Sequence, residues 1–166
     1  MKLIVAVDSE WGIGKNNGLL FSIPEDMKFF RQTTTGKVIV IGRKTLESFP
    51  GGKPLKNRTN IVLSSNLVCE GVTVVKDIPS LMREIGHFTA DDVYVCGGAS
   101  VYKALLPYCT EALVTKVDAI GGAEAFFPNL DEADGWTLKE EGEPIETNGY
   151  TIRFCKYANN KAMPLE

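Results

Sequence analysis

Six short apolar runs punctuate the chain, and what separates them constrains the fold more than any other feature. Leu3–Val7, Val38–Ile41, Ile61–Leu63 and Val93–Cys96 are unbroken, Val72–Val75 is interrupted only by Thr73, and Leu113–Val117 only by Thr115-Lys116. Runs this short are strands, and runs without polar alternation are strands covered on both faces, as in a parallel sheet. The segment from Ser22 to near Gly36, Pro79–Ile85 and the stretch after Gly98 through Leu106 read as helices between them. Past Trp136 the pattern changes. Trp136–Lys139 and Tyr150–Tyr157 alternate apolar and polar residues, with Asn148-Gly149 as a turn, which is the mark of half-solvated antiparallel strands. The expected fold is α/β: one domain over residues 1–166, with a mostly parallel twisted central sheet of about eight strands, flanking helices and an antiparallel C-terminal hairpin.

Composition narrows the function classes. With 44% hydrophobic and 23% charged residues, the chain has the makeup of an ordinary globular domain. A net charge of -3 predicts no nucleic-acid partner. No apolar run approaches the ~20 residues of a membrane span, so no membrane association and a cytoplasmic location are expected. Cys69, Cys96, Cys109 and Cys155 lack metal-site spacing and read as free thiols, and the single histidine, His87, follows a helix end. No metal site and no histidine-based triad are predicted.

Ligands of such sheets lie beyond the carboxyl ends of the strands. Four consecutive runs end in small or basic residues: Gly42-Arg43-Lys44-Thr45, Ser64-Ser65, Lys76 and Gly97-Gly98. Gly42 and Gly97-Gly98 lead into helical stretches whose exposed N–H groups attract phosphate, and glycine admits a close backbone approach. The four ends together predict a phosphate-rich nucleotide, and their basic character favours NADP over NAD. Between Asp8 and Phe21 a glycine-rich loop is expected to act as a flexible lid.

Asp26 is the residue out of place. Ser22 reads as an N-cap with Glu25 completing a capping box. At ~100° per residue, Ile23, Met27 and Phe30 then form an apolar stripe that contains Asp26, while Glu25, Lys28 and Gln32 face solvent. Acids in a first turn commonly complement the helix dipole. A carboxylate on a buried face must also find a partner or change its pKa, which makes Asp26 a candidate for binding a polar substrate.

Taken in order, these motifs resemble bacterial dihydrofolate reductases. The resemblance rests on Ile13-Gly14 with Asn17, Ile23-Pro24-Glu25-Asp26-Met27 with Phe30, and Ile41-Gly42-Arg43-Lys44-Thr45 with Glu47-Ser48. It extends to Arg58 with Asn60, Ile61 and Ser64-Ser65, to Gly97-Gly98 with Val101-Tyr102, and to Thr115 with Asp118. It implies reduction of 7,8-dihydrofolate by NADPH, with hydride transfer to C6 and protonation at N5, and a monomer that antifolates inhibit.

For the substrate, the resemblance implies that Asp26 meets the 2-amino and N3 side of the pterin, with Thr115 bridging to it. Ile4, Val5, Val7, Met27, Phe30, Phe49, Leu55 and Cys96 would line the folate pocket, and Arg58 would take the tail carboxylate. For the cofactor, Ala6, Ile13, Gly14 and Thr45 would flank the nicotinamide. Gly42, Cys96, Gly97, Gly98, Ser100 and Val101 would approach the pyrophosphate, and Arg43, Lys44, Leu63, Ser64, Ser65 and Lys76 the adenosine end. Tyr102 would stabilise charge during transfer, and the Gly97-Gly98 peptide would be cis. Two positions depart from the family pattern. Leu20-Phe21 replaces Pro-Trp before the helix, removing an indole N–H that would anchor a water, and Cys96 replaces a larger aliphatic residue. A same-fold pyrimidine reductase of riboflavin synthesis and a non-catalytic nucleotide-binding module are the alternatives. The first is not expected to keep Asp26, Phe30, Arg58 and Thr115 together, and the second has no use for a carboxylate in an apolar stripe.

Overall fold

A computed structural model describes residues 1–16, 18–66 and 69–165; Asn17 lies outside them. The elements run β1 (Lys2–Val7), β2 (Gly12–Lys15), β3 (Gly18–Leu19), α1 (Pro24–Thr34), β4 (Val38–Gly42), α2 (Arg43–Ser48), β5 (Thr59–Leu63) and β6 (Thr73–Val75). They continue with α3 (Ile78–Ile85), β7 (Val93–Gly97), α4 (Ala99–Leu105), β8 (Glu111–Val117), β9 (Ala125–Phe126), β10 (Trp136–Glu141), β11 (Ile145–Thr147) and β12 (Tyr150–Asn159).

The main sheet has the order β10-β12-β8-β1-β7-β4-β5-β6, with β11 added on β12. Every pair from β8 to β6 is parallel, and β12 joins β8 antiparallel. This is the expected mixed α/β sheet. The unbroken apolar strands sit at its centre because both faces are covered there. Leu3, Val5 and Val7 share one face with Val40, Val95, Leu81 and Leu105, under α3 and α4. The other face carries Ile39, Ile41 and Val62 with Leu46 of α2, and Val117 and Ile152 with Ile23 just before α1. Asn148 and Gly149, both at positive φ, make the turn between β11 and β12, as a two-residue hairpin requires.

Two local expectations are corrected. The Asp8–Phe21 segment is not an open loop: β2 pairs with β3 and with β9 in a separate three-stranded antiparallel sheet. One of its two partners, β9, lies more than a hundred residues away, and the other, β3, is only two residues long, so no local periodicity announces the sheet. Ser22 does not cap α1 either. Ile23 holds the N-cap position without any side-chain cap, and its carbonyl accepts from the Asp26 and Met27 N–H groups. Ser22 lies one residue upstream, and its carbonyl accepts from Asn148 Nδ2 at 2.8 Å.

Candidate active site

Strand register assembles the site. Ala6 of β1 sits opposite Thr115 of β8, and alternation puts Ile4, Ala6 and Thr115 on the sheet face that α1 covers. Val5 and Val7 are a correction. They point to the opposite face, where they pack in the core under α3 and α4, so their side chains do not line this site. From α1, the partly buried Asp26 reaches that sheet face: Thr115 Oγ1 donates to Asp26 Oδ1 at 2.6 Å. Burial pushes the Asp26 carboxyl above the ordinary carboxylate range, against the Thr115 hydrogen bond, which favours the ionised form. Met27 departs from the predicted buried stripe; it is 53% exposed. Glu25, Lys28 and Gln32 are exposed, as the helical periodicity requires.

Further along α1, Phe30 is partly buried, and the Arg58 guanidinium lies 6.0 Å from its ring centroid. Arg58 donates from Nε to the Lys56 carbonyl at 3.0 Å and from Nη1 to Thr34 Oγ1 at 3.3 Å. Asn60, a buried polar residue in an apolar strand, holds the loop that presents this arginine. Its side chain accepts from Leu55 N–H and donates to the Leu55 and Arg58 carbonyls. Phe49, Leu55 and Cys96 pack at the edge of the Ile39–Ile41–Val62 cluster, on the same side of the sheet as α2. Burial pushes the Cys96 thiol far above the thiolate range.

The four basic or small strand ends fall into one row, because β7, β4, β5 and β6 are neighbours in that order and all parallel. Gly42 is level with Leu63, and Leu63 with Val75. The row therefore runs from Gly97-Gly98 through Gly42-Arg43-Lys44-Thr45 and Ser64-Ser65 to Lys76. The Gly97–Gly98 peptide is cis. A Cβ on Gly42 would stand 3.1 Å from a Val101 methyl, and one on Gly98 3.3 Å from Thr45 Oγ1. Side chains there would fill a cradle of bare backbone. Tyr102 lies beneath it, buried, its hydroxyl donating to the Ile4 carbonyl at 2.6 Å; burial keeps the phenol protonated. Ser100 is exposed in the first turn of α4. Arg43 is engaged by Glu47, with Nη1 at 2.9 and 2.8 Å from the two carboxylate oxygens.

Ile13 and Gly14 lie in β2, half-buried beside the sheet. The segment around them is fastened by residues the sequence did not single out. The Asp8 carboxylate, 3% exposed, accepts N–H groups from Glu10, Gly12 and Gly121. Burial works to raise its pKa, and the N–H bonds of Gly121, Gly12 and Glu10 overcome that and hold it low. Glu124 Oε1 accepts Asn16 N–H at 2.8 Å, joining the same segment to the residue just before β9. Only Asp8, an acid directly following a buried strand, gave any sequence signal. Phe21 lies with Ile23, Val117 and Ile152, its ring 4.9 Å from that of Tyr150.

Comparison with known proteins addresses the chain as a whole. A family model described as dihydrofolate reductase matches residues 1–159. The chain belongs to the dihydrofolate reductase family. It is 35% identical to dihydrofolate reductase of Bacillus subtilis, covering 95% of this chain and 93% of that one. It is 37% identical to the Haemophilus influenzae enzyme, covering 92% and 94%. A solved dihydrofolate reductase from Enterococcus faecalis, complexed with NADP(H) and RAB-propyl, superposes with a TM-score of 0.81 at 33% identity, over 96% and 95% of the chains. Among the described residues, no helix is long and apolar enough to cross a membrane.

Proposed function

We propose that this protein reduces 7,8-dihydrofolate to 5,6,7,8-tetrahydrofolate with NADPH. The observation that carries the reading is the Asp26–Thr115 pair, a partly buried carboxylate with a raised pKa on the sheet face that adjoins the phosphate-type strand ends.

Asp26 accepts the 2-amino and N3 hydrogens of the pterin; in a site poor in water such charge-assisted bonds are strong and oriented. Thr115 spends its proton on Asp26, which leaves its oxygen lone pairs for the same amino group. Ile4, Met27, Phe30, Phe49, Leu55 and Cys96 supply the apolar walls. Arg58 uses two N–H groups to fix its own orientation and keeps the remaining donors for the tail carboxylate, a forked geometry lysine lacks.

The cradle at Gly42, Gly97 and Gly98 fits a dinucleotide pyrophosphate, since bare backbone is what a Cβ would obstruct. Ala6, Ile13, Gly14 and Thr45 would flank the nicotinamide, with Ser100, Val101 and Cys96 beside the cradle. Arg43, Lys44, Leu63, Ser64, Ser65 and Lys76 would hold the adenosine end. Bound NADPH supplies the hydride that reaches C6. Asp26 favours protonation at N5 through its field and an ordered water, because it grips the far side of the ring. Tyr102 stays neutral and keeps the Ile4 carbonyl in place. Phe21, with no N–H and its ring on Tyr150, serves to anchor the lid. The same reading has the enzyme acting as a cytoplasmic monomer and meeting antifolates at the folate cleft.

The test is NADPH oxidation by the purified chain, followed with and without dihydrofolate. Substrate-dependent loss of NADPH is expected; no difference between the two traces would refute the reading.

A further inference from the structure

Beyond the strand-end row, a cavity of about 380 Å³ opens between β6 and α3. Ser64, Ser65 and Lys76 form its wall at the carboxyl ends of β5 and β6, and Ser80, Arg83 and Glu84 form the facing wall. The three helical residues are spaced i, i+3 and i+4, so one face of α3 presents them. Arg83 Nη2 donates to Ser80 Oγ at 3.2 Å, which draws the guanidinium one turn back toward the strand ends. Asp77, the N-cap of α3, adds an acid beside the two cations. Its carboxyl is held low chiefly by its hydrogen bonds from Ser80, and Lys76 and Arg83 both add to the effect. Lys76 and Arg83, from different elements, therefore line one cavity, with serine hydroxyls on both walls and Glu84 and His87 as its other titratable groups.

We propose that Arg83 is a selectivity residue for the phosphate on the cofactor's adenosine ribose, acting across the cavity from Lys76. This rests on the reading that the strand-end row binds NADPH. Lys76 is a compact charge that attracts any anion, whereas a guanidinium offers a planar fork matched to phosphate oxygens. Ser80 pre-sets the fork and Glu84 opposes it. The discrimination between phosphorylated and unphosphorylated cofactor therefore comes from α3 as well as from the strand ends.

Affinities of the full chain for NADPH and NADH, with 2′-AMP and 5′-AMP as competing probes, test this. R83Q is expected to weaken NADPH and 2′-AMP about tenfold, the scale of one charge-assisted hydrogen bond at a solvated site. NADH and 5′-AMP should move less than twofold. R83K should recover part of the NADPH loss, and E84Q should tighten NADPH by about two- to threefold through loss of an opposing charge. Equal weakening of NADPH and NADH by R83Q would mark Arg83 as merely structural and overturn the proposal, as would no change in either. K76A separates the two levels. If K76A erodes the NADPH preference and R83Q does not, only the role of Arg83 fails. If neither variant touches that preference, the strand-end reading fails with it.

Discussion

The Asp26–Thr115 pair and the row of strand ends solve opposite problems. At Asp26 a single charge sits largely out of water, tied to one hydroxyl and backed by the sheet. In such a setting each interaction is worth much, because little solvent screens it. Along the row, Arg43, Lys44, Ser65 and Lys76 are exposed, and Arg43 is already bound to Glu47. Any one such contact is weak, so under the proposed reading binding is shared among several side chains and the bare backbone at Gly42 and Gly97-Gly98. One region concentrates its chemistry in a residue; the other distributes it over four strand ends.

That contrast predicts a graded set of effects. Asp26→Asn should be the most severe, cutting turnover at neutral pH by about 10²-fold or more while leaving NADPH affinity within twofold. Steady-state kinetics paired with cofactor titration would break the contrast if both quantities fell together. Thr115→Val should lower kcat/KM by about tenfold, the worth of a hydrogen bond to a charged group. Because Thr115 favours the ionised carboxylate, its loss should also move the Asp26-dependent limb of the pH–rate profile to higher pH. An unmoved limb would mean that the bond does not tune Asp26. Lys76→Ala should weaken NADPH only about five- to tenfold, and the loss should shrink as salt is raised, because the site is open to screening.

The smallest effect is on stability, and its sign is opposite to that on activity. The folded state binds the Asp26 proton more tightly than the unfolded chain does. Ionised Asp26 therefore costs stability above its folded pKa; the cost fades as pH falls through that value and is gone below the ordinary 3.8. Asp26→Asn should accordingly raise Tm at neutral pH, with a gain that vanishes near pH 3. Thermal melts across that range would show it, and a Tm lowered at neutral pH would contradict the burial argument.

Much of this was readable along the chain. Continuous apolar runs imply two covered faces whatever the neighbours, and small or basic residues at their ends imply a ligand edge. Asp26 stood out because a helix repeats every few residues and exposes a misplaced charge within ten positions. What stayed hidden involves partners distant in sequence. The Asp8–Phe21 segment reads as a loop because one of the two strands that pair with β2, β9, is distant in sequence. Val5 and Val7 could not be told from Ile4 because an unbroken run carries no mark of which face is which. Asn60 and Thr34 orient Arg58 through hydrogen bonds that no local pattern encodes.

By itself, then, the order of residues determined the α/β class, the run of strand ends and the acid at the front of α1, since each follows from periodicity or side-chain chemistry within a short window. The tertiary structure decided that β7, β4, β5 and β6 stand side by side, so that four scattered ends become one row. It also decided that Thr115 meets Asp26 across 89 residues of chain. Strand order and register are settled by which faces bury together, and that is a property of the whole sheet.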